Sequence, residues 1–241
     1  MEQVEKLVEK ELLPRSCSMT EKKTQWIGIF SLECEVLQMP FTALLGEILG
    51  EKNHVLVIDL QPYSGFATEI DTGTDVLGME DLMAVATTGN YTNHRLLASL
   101  GHEQNWDYIY PVQNVQYLTE LDAEQYKKMI YMLQKERGYE QIILNFGAGF
   151  SDAEEFMKGC DQFYFLTEKK DEHNWREQDF FTKMRILNGD MFFEKLIWME
   201  MPVGSICGKT WRMLTKEWLW GDLGDKLREI YWVESVDGSD M

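Results

Sequence analysis

The sequence predicts an α/β domain, a three-layer sandwich with a mostly parallel central sheet. Two observations predict this fold class. Short apolar runs typical of buried strands alternate along the chain with longer segments that carry apolar residues at helical spacing. With 241 residues, 44% of them hydrophobic, the chain is also long enough for one full hydrophobic core. Strands and helices in alternation build a mostly parallel sheet with right-handed crossovers.

Six segments have the composition of strands. The first is a buried run that ends at Ser31, and the third carries Trp106, Tyr108 and Tyr110 at a period of two. In chain order, the predicted strand segments are residues 26–31, 55–60, 105–111, 139–147, 161–167 and 194–201.

Helices are predicted between and after these strands. Pro40 is suited to a first helical turn, and the residues after it place an apolar face toward the sheet. Residues 151–154 have the spacing of a capping box. In chain order, the predicted helices are residues 40–49, 78–86, 93–100, 122–137, 151–159, 175–188, 210–220 and 223–231.

The ends of the chain differ from the middle in composition. Residues 1–13 have apolar residues at near-helical spacing and are followed by Pro14, which predicts a packing or dimer helix. We divide the chain into an N-terminal helix and linker (1–24), one α/β domain (25–235) and an acidic tail (236–241).

The formal net charge of −18 limits the function classes. A surface this acidic repels nucleic acid and anionic lipid, so we expect neither nucleic-acid binding nor direct membrane binding. The N-terminus has no basic start followed by an apolar run, and no apolar run is long enough to span a bilayer. Cys17, Cys34, Cys160 and Cys207 lack metal-ligand spacing, which favours reduced thiols in a cytoplasmic protein without a metal site.

The turn after the first predicted strand has the place and length of a phosphate-binding loop. Such loops carry glycines that let the backbone approach phosphate, a lysine for the phosphate charge, and a hydroxyl for magnesium. Here the eight residues between strand and helix are Leu32-Glu33-Cys34-Glu35-Val36-Leu37-Gln38-Met39. They include no glycine, lysine or hydroxyl residue.

This segment resembles the signature of the MinD/ParA family of deviant P-loop ATPases. The family motif KGGVGKT falls without a gap on residues 33–39. In that register Glu33 replaces the signature lysine, Gln38 the phosphate lysine and Met39 the magnesium-binding threonine. Only Val36 matches. The residues that replace glycines are Cys34, Glu35 and Leu37.

Two further segments resemble family landmarks in the expected order. VLVIDLQP at residues 55–62 is similar to VLLIDLDPQ, with Asp59 kept and the second aspartate replaced by Gln61. YEQIILNFG at residues 139–147 is similar to the Walker B segment YDYVIIDLPPG, with Asn145 at the position of the aspartate that supports magnesium. The resemblance implies a P-loop NTPase-like, Rossmann-like fold whose nucleotide pocket is degenerate.

From these replacements we expect that ATP and magnesium binding are lost and that no residue is catalytic. Glu33 and Glu35 would face a polyphosphate, and each like-charge contact at about 4 Å costs about 1 kcal/mol in water and about 4 kcal/mol at a dielectric of 20. Side chains at the former glycines also obstruct the backbone conformation that cradles phosphate.

Two other groups of residues are candidates for ligand sites. Glu33, Glu35 and Asp59 suggest a cation site, although three scattered carboxylates do not fix a coordination geometry and a solvated loop is favoured. Residues 204–210, GSICGKT, have one residue too few between the glycines for a P-loop. A glycine-containing loop with Lys209 near a helix start is favoured there.

The C-terminal third is rich in aromatic residues, which are common at interface hot spots. Core packing explains at least half of them equally well. Residues 217–225, EWLWGDLGD, resemble the ending LLWGELGDYVR of proteins similar to the TadZ/CpaE pilus-assembly group, although the receiver-like domain usual in that group is absent here. The candidate interaction patch is Trp211, Trp218, Trp220 and Trp232.

The resemblance therefore implies a pseudo-ATPase that serves as a scaffold or localisation factor for protein partners. The machine it implies is a tight-adherence (Flp) pilus, with recruitment to the membrane or cell pole by partners and any homodimer independent of nucleotide. Two alternatives stay open. One is an active ATPase with an unorthodox loop, and the other is a regulatory partner of cellulose-secretion or flagellar machinery.

Overall fold

The computed structural model describes residues 23–70, 76–89, 92–120, 122–147, 153–168, 174–202 and 206–232. One seven-stranded sheet, ordered β3-β4-β2-β5-β1-β6-β7, runs through this part of the chain, and only the β3–β4 pair is antiparallel. This confirms the predicted α/β fold with a mostly parallel sheet. The strands are β1 (Gln25–Ser31), β2 (Val55–Leu60), β3 (Leu100–His102), β4 (Asp107–Ile109), β5 (Gln141–Phe146), β6 (Gln162–Thr167) and β7 (Leu196–Glu200).

Helices lie on both faces of the sheet. The longest are α1, which is buried along most of its length, and α5, which buries one face. Helix α5 begins with a capping box in which Oδ1 of Asp122 accepts from the backbone N–H of Gln125 at 2.8 Å. The helices of the described residues are α1 (Glu35–Gly50), α2 (Met79–Thr88), α3 (Asn93–Ala98), α4 (Tyr117–Glu120), α5 (Ala123–Arg137), α6 (Ala153–Gly159), α7 (Trp175–Asn188), α8 (Met191–Glu194), α9 (Trp211–Leu219) and α10 (Asp222–Trp232). None of them is long and apolar enough to cross a membrane.

The sheet separates two hydrophobic cores because successive side chains of a strand point to opposite faces. Trp26 and Phe30 of β1 join the core under α2, α5, α6 and α7. Ile27 and Ile29 join the core under α1, α9 and α10. Every strand between β4 and β6 in the sheet is buried on both faces, which explains the continuous apolar runs in the sequence.

Gly28 shows how tightly the centre of the sheet is packed. A Cβ at this position would lie 2.6 Å from Cδ2 of Phe163 and 3.0 Å from Cε2 of Phe146. The two rings therefore occupy the space above β1 that any other residue would need.

The predicted helix over residues 93–100 is wrong at its end. The helix stops at Ala98, and Leu100–His102 instead form the edge strand β3 against β4. Gly101 permits this pairing, because a Cβ there would lie 2.1 Å from Cζ of Tyr108. The predicted N-terminal helix, the acidic tail and the first residues of the capping box at 151–154 lie outside the described residues.

Candidate functional site

The predicted nucleotide pocket lies where the carboxyl ends of β1, β2 and β5 meet the first turns of α1. The parallel register places Asp59 of β2 beside Asn145 of β5, and Ile29 of β1 on the other side of Asn145. In open α/β sheets, ligands bind in the crevice at this edge. The three predicted segments therefore lie together at this edge of the sheet.

The turn after β1 is held by one hydroxyl. Ser31 Oγ accepts hydrogen bonds from the backbone N–H groups of Glu33, at 3.2 Å, and Cys34, at 2.7 Å. It donates in turn to the carbonyl of Leu166 at the end of β6, at 2.8 Å. In a phosphate-binding loop, backbone N–H groups of this turn point at the anion. Here two of them are used inside the protein.

The helix after this turn begins earlier than predicted. α1 starts at Glu35, so Pro40 lies inside the helix and the predicted start at residue 40 is wrong. The turn between β1 and α1 is therefore only residues 32–34. Without glycines, residues 35–39 adopt ordinary helical backbone, and Leu37, Gln38 and Met39 become buried helix positions.

Gln38, at the position of the phosphate lysine, is fully buried and points into the domain. Its Nε2 donates to Oδ1 of Asn145 at 2.9 Å and to the carbonyl of Phe146 at 2.8 Å. Its Oε1 has no hydrogen-bond partner among the described residues. One amide side chain thus ties α1 directly to the end of β5.

Asn145 continues the same network toward β2. Its Nδ2 donates to Oδ1 of Asp59 at 2.8 Å and to Oε1 of Gln61 at 3.2 Å. Gln61 Nε2 then donates back to the carbonyl of Glu35 at 3.0 Å. The chain of hydrogen bonds therefore closes into a ring through α1, β5 and the residues after β2. We call Gln38, Asn145, Asp59 and Gln61 the amide network.

Asp59 is the only carboxylate of this network, and it is 3% exposed. Burial raises the pKa of Asp59 to about 6. Hydrogen bonds from the side chains of Ser64 and Asn145 and from the backbone N–H of Gln61 lower this pKa, but by less. The Ser64 hydroxyl donates to Oδ2. Tyr63 beside it has a left-handed backbone with φ of 60°, which is rare for a bulky residue and forms part of the turn that positions Ser64.

The remaining residues of the predicted pocket separate into two groups. Glu33 and Glu35 are exposed, and Oε1 of Glu33 accepts from Nδ2 of Asn174 at 2.8 Å. Cys34, Leu37 and Met39 face inward and belong to the core under α1. Burial, with the nearby negative charge of Glu168, raises the pKa of the Cys34 thiol to about 11, so this thiol is a poor nucleophile at neutral pH.

The three carboxylates of the cation-site hypothesis do not converge. Asp59 is buried and bonded to protein donors, whereas Glu33 and Glu35 face solvent. Within the described ranges, no group of three His, Cys, Asp or Glu residues is arranged to hold a metal ion. Lys209 of the second candidate loop pairs with Glu217, and Thr210 caps α9.

Several solved structures have a fold similar to that of this chain. A ParA family ATPase from Chlorobium tepidum TLS matches with a TM-score of 0.56 at 12% identity, over 82% of this chain and 100% of that chain. The chain has a ParA-type fold. A plasmid partition protein from Borrelia burgdorferi B31 bound to AMPPNP matches with a TM-score of 0.55 at 13% identity, over 86% and 90% of the two chains. Apo McdA from Cyanothece gives 0.52 at 15% identity, over 80% and 81%.

These identities establish the ParA-type fold and nothing finer. No protein-family model and no curated protein matches the chain.

On this ParA-type domain, the structure divides the predicted aromatic patch. Trp211 and Trp218 are buried in the core between α1 and α9. Trp220 is 81% exposed, and Trp232 is partly buried. The Arg228 guanidinium lies 5.4 Å from the ring centre of Trp220 and 5.7 Å from that of Trp232. Of the four tryptophans of the predicted patch, Trp220 and Trp232 are the two with exposed surface.

Sequence reasoning missed Ser31 and Ser64, which organise the site. Ser31 is the last residue of an apolar strand, and Ser64 comes two residues after Pro62. A hydroxyl at the end of a strand, followed by a turn whose N–H groups need acceptors, was an available signal for Ser31.

Proposed function

We propose that this chain is a pseudo-ATPase, a ParA-type domain without nucleotide chemistry that serves as a scaffold or localisation factor. The observation that carries the proposal is the amide network. Gln38, Asn145 and Gln61 stand where the family motifs carry a lysine and two aspartates, and all three bond to each other or to Asp59. The side chains at the positions that would contact a nucleotide therefore form hydrogen bonds within the domain.

The residues present do not fit a magnesium nucleotide, because the backbone N–H donors of the turn are already paired and the charge of the turn is negative. The N–H groups of Glu33 and Cys34 already donate to Ser31. Residues 32–39 include no cation, and their two exposed carboxylates contribute to the chain's net charge of −18. Releasing the internal hydrogen bonds would leave buried polar groups unpaired, at about 1–3 kcal/mol for each group.

The partner we propose is a protein of a membrane-associated machine, with a tight-adherence pilus as the first candidate. The resemblance of residues 217–225 to the TadZ/CpaE ending supports this choice. Trp220 lies in this segment and is exposed beside Arg228. Exposed tryptophan next to arginine has the composition of an interface hot spot.

Isothermal titration calorimetry with ATP and with ADP, each with magnesium, tests the lost pocket. We expect no binding heat up to millimolar nucleotide, and the ParA family ATPase from Chlorobium tepidum serves as the positive control. Micromolar binding would contradict the proposal. Phosphate release that disappears in Asp59→Ala would identify an ATPase with an unorthodox loop instead.

Light scattering with and without ATP tests the expected independence of nucleotide. We expect the same molar mass in both conditions, whether it corresponds to a monomer or to a dimer. A dimer that forms only with ATP would show that the nucleotide switch is intact.

Affinity capture from membranes of the source organism tests the scaffold role. Wild type is expected to retain pilus-assembly proteins, and Trp220→Ala is expected to lose them. Met213→Ala, which truncates an exposed residue on the preceding helix α9, is the matched control. Retention of cellulose or flagellar components instead would redirect the assignment.

A further inference from the structure

Three large apolar side chains are exposed at the carboxyl edge of the sheet, around the amide network. Val36 in the first turn of α1 is 64% exposed, Tyr63 after β2 is 88% exposed, and Trp175 at the start of α7 is 74% exposed. They follow β1, β2 and β6, and the parallel register brings the carboxyl ends of these strands to one edge. We call these three residues the rim surface.

The start of α7 is bonded to the turn after β1 through the residue before Trp175. Asn174 caps α7, and its Oδ1 accepts from the backbone N–H of Arg176 at 3.1 Å. Its Nδ2 donates to Oε1 of Glu33 at 2.8 Å. The first turn of α7 therefore lies against the turn that leads into α1.

Tyr63 is connected to the first turn of α1 in a similar way. Nε2 of Gln61, two residues before Tyr63, donates to the carbonyl of Glu35 at 3.0 Å, and Glu35 directly precedes Val36. The rim surface is thus carried by three segments that hydrogen bonds join to one another.

Tyr63 is not explained by the needs of the fold. Its backbone is left-handed, with φ of 60°, where glycine or asparagine is the usual residue. Its ring extends into solvent and therefore contributes little to the core. A strained, bulky and exposed residue beside a crevice has the properties of a contact residue for a partner.

The carboxylates around the rim surface determine which partner it fits. Glu33 and Glu35 are exposed beside Val36, and Glu168 is exposed at the end of β6. Basic residues do not offset this charge. Arg176 is exposed, whereas residues 169–173 contain two lysines and two acidic residues and add no net formal charge. The surface therefore combines apolar side chains with negative charge.

We propose that the rim surface binds a segment of a partner protein in which apolar residues alternate with lysine or arginine. The apolar side chains of this segment pack on the rim surface, and its cations pair with Glu33 and Glu35. A second copy of the chain does not fit, because the same carboxylates would meet across a two-fold interface. The inference rests on the proposed scaffold function and adds the chemistry of the partner and the place where it binds.

Fluorescence anisotropy with labelled synthetic peptides tests the proposal. The probe is a twelve-residue peptide in which lysine and leucine alternate. We expect wild type to bind it at least about tenfold more tightly than a peptide of alternating lysine and serine or of alternating glutamate and leucine, because the surface recognises both charge and apolar area.

Substitutions locate the binding. Trp175→Ala and Glu35→Lys are each expected to weaken binding of the lysine–leucine peptide at least about fivefold. Trp220→Ala removes a tryptophan of similar exposure at the end of α9, and Glu51→Lys makes the same charge change at the opposite edge of the sheet. Both controls should stay within about twofold of wild type.

Tyr63→Gly separates partner contact from folding. Glycine accepts the left-handed backbone, so the variant should melt at the same temperature as wild type or higher. Its affinity for the lysine–leucine peptide should nevertheless fall at least about fivefold. Thermal melts of the other variants confirm that each is folded before affinities are compared.

Three outcomes would overturn the inference. Equal affinity for the lysine–leucine and lysine–serine peptides would show that net charge alone attracts them. Equal weakening by Glu35→Lys and Glu51→Lys, or loss of binding in Trp220→Ala, would place the peptide elsewhere. Capture of pilus proteins without binding of the lysine–leucine peptide would reject the rim surface and leave the scaffold function intact. Nucleotide binding together with peptide binding at the rim surface would instead contradict only the pseudo-ATPase.

Discussion

Replacing Asp59 with asparagine removes the only ionisable group of the amide network while keeping its shape. Oδ1 of an asparagine would still accept hydrogen bonds from Nδ2 of Asn145 and from the backbone N–H of Gln61. The Ser64 hydroxyl, which donates to Oδ2 in the wild type, can rotate and accept from the new amide instead. The substitution therefore tests the charge of Asp59 without breaking the ring.

The size of the effect follows from the pKa of Asp59, which burial raises from 3.8 to about 6. Because the folded protein holds this proton more tightly than the unfolded chain, the stabilisation is fully present below about pH 4 and is lost as the pH rises through about 6. A pKa difference of about two corresponds to about 3 kcal/mol. Asp59→Asn should therefore gain up to about 3 kcal/mol relative to wild type between pH 4 and pH 8.

Urea denaturation of both proteins across this pH range measures the difference directly. Other titrating groups cancel, because they are common to both proteins. Asp179→Asn, which removes an exposed carboxylate paired with Lys183, is the matched control and should show no comparable rise. A constant difference between Asp59→Asn and wild type would refute the reasoning. Stabilisation of wild type by magnesium at pH 8, absent in the variant, would reveal a cation on Asp59.

Three further predictions concern packing and reactivity. Gln38→Leu leaves the acceptors at the end of β5 unpaired and should lower the free energy of unfolding by about 1–3 kcal/mol, measured in urea. Gly28→Ala should cost about 1–3 kcal/mol in the same assay, because its Cβ would meet the ring of Phe163; unchanged stability would contradict the tight packing described above. Iodoacetamide at pH 8 should alkylate exposed Cys207 rapidly and buried Cys34 only after unfolding, as peptide mass spectrometry would reveal; rapid alkylation of Cys34 in the folded protein would refute its burial.

The fold was predictable because burial imposes a pattern on the sequence. The central strands are buried on both faces and therefore read as apolar runs, and α7 was predicted with its observed bounds, 175–188. The edge strand β3 was not predictable in this way. It has three residues, and what identifies it is the fit of Gly101 against Tyr108, a contact distant from any local pattern.

The members of the candidate site were predictable in position but not in role. Family motifs located Gln38, Asp59 and Asn145 by register alone. Their mutual hydrogen bonds join α1, β5 and β2, which meet only in the folded domain. No residue spacing in the sequence therefore predicts them. The start of α1 was missed for a related reason, since the family motif suggested a long loop where residues without glycine continue as helix.

The hydroxyl of Ser31 limits what a single substitution in the turn after β1 can do. Its oxygen accepts hydrogen bonds from two backbone N–H groups of the turn. Both donors are therefore paired without any ligand. A substitution that freed these donors would lower stability before any phosphate affinity could compensate, and the same holds for a lysine introduced at Gln38 beside Asn145. A turn that exposed these donors to an anion would therefore require several coordinated substitutions and not one.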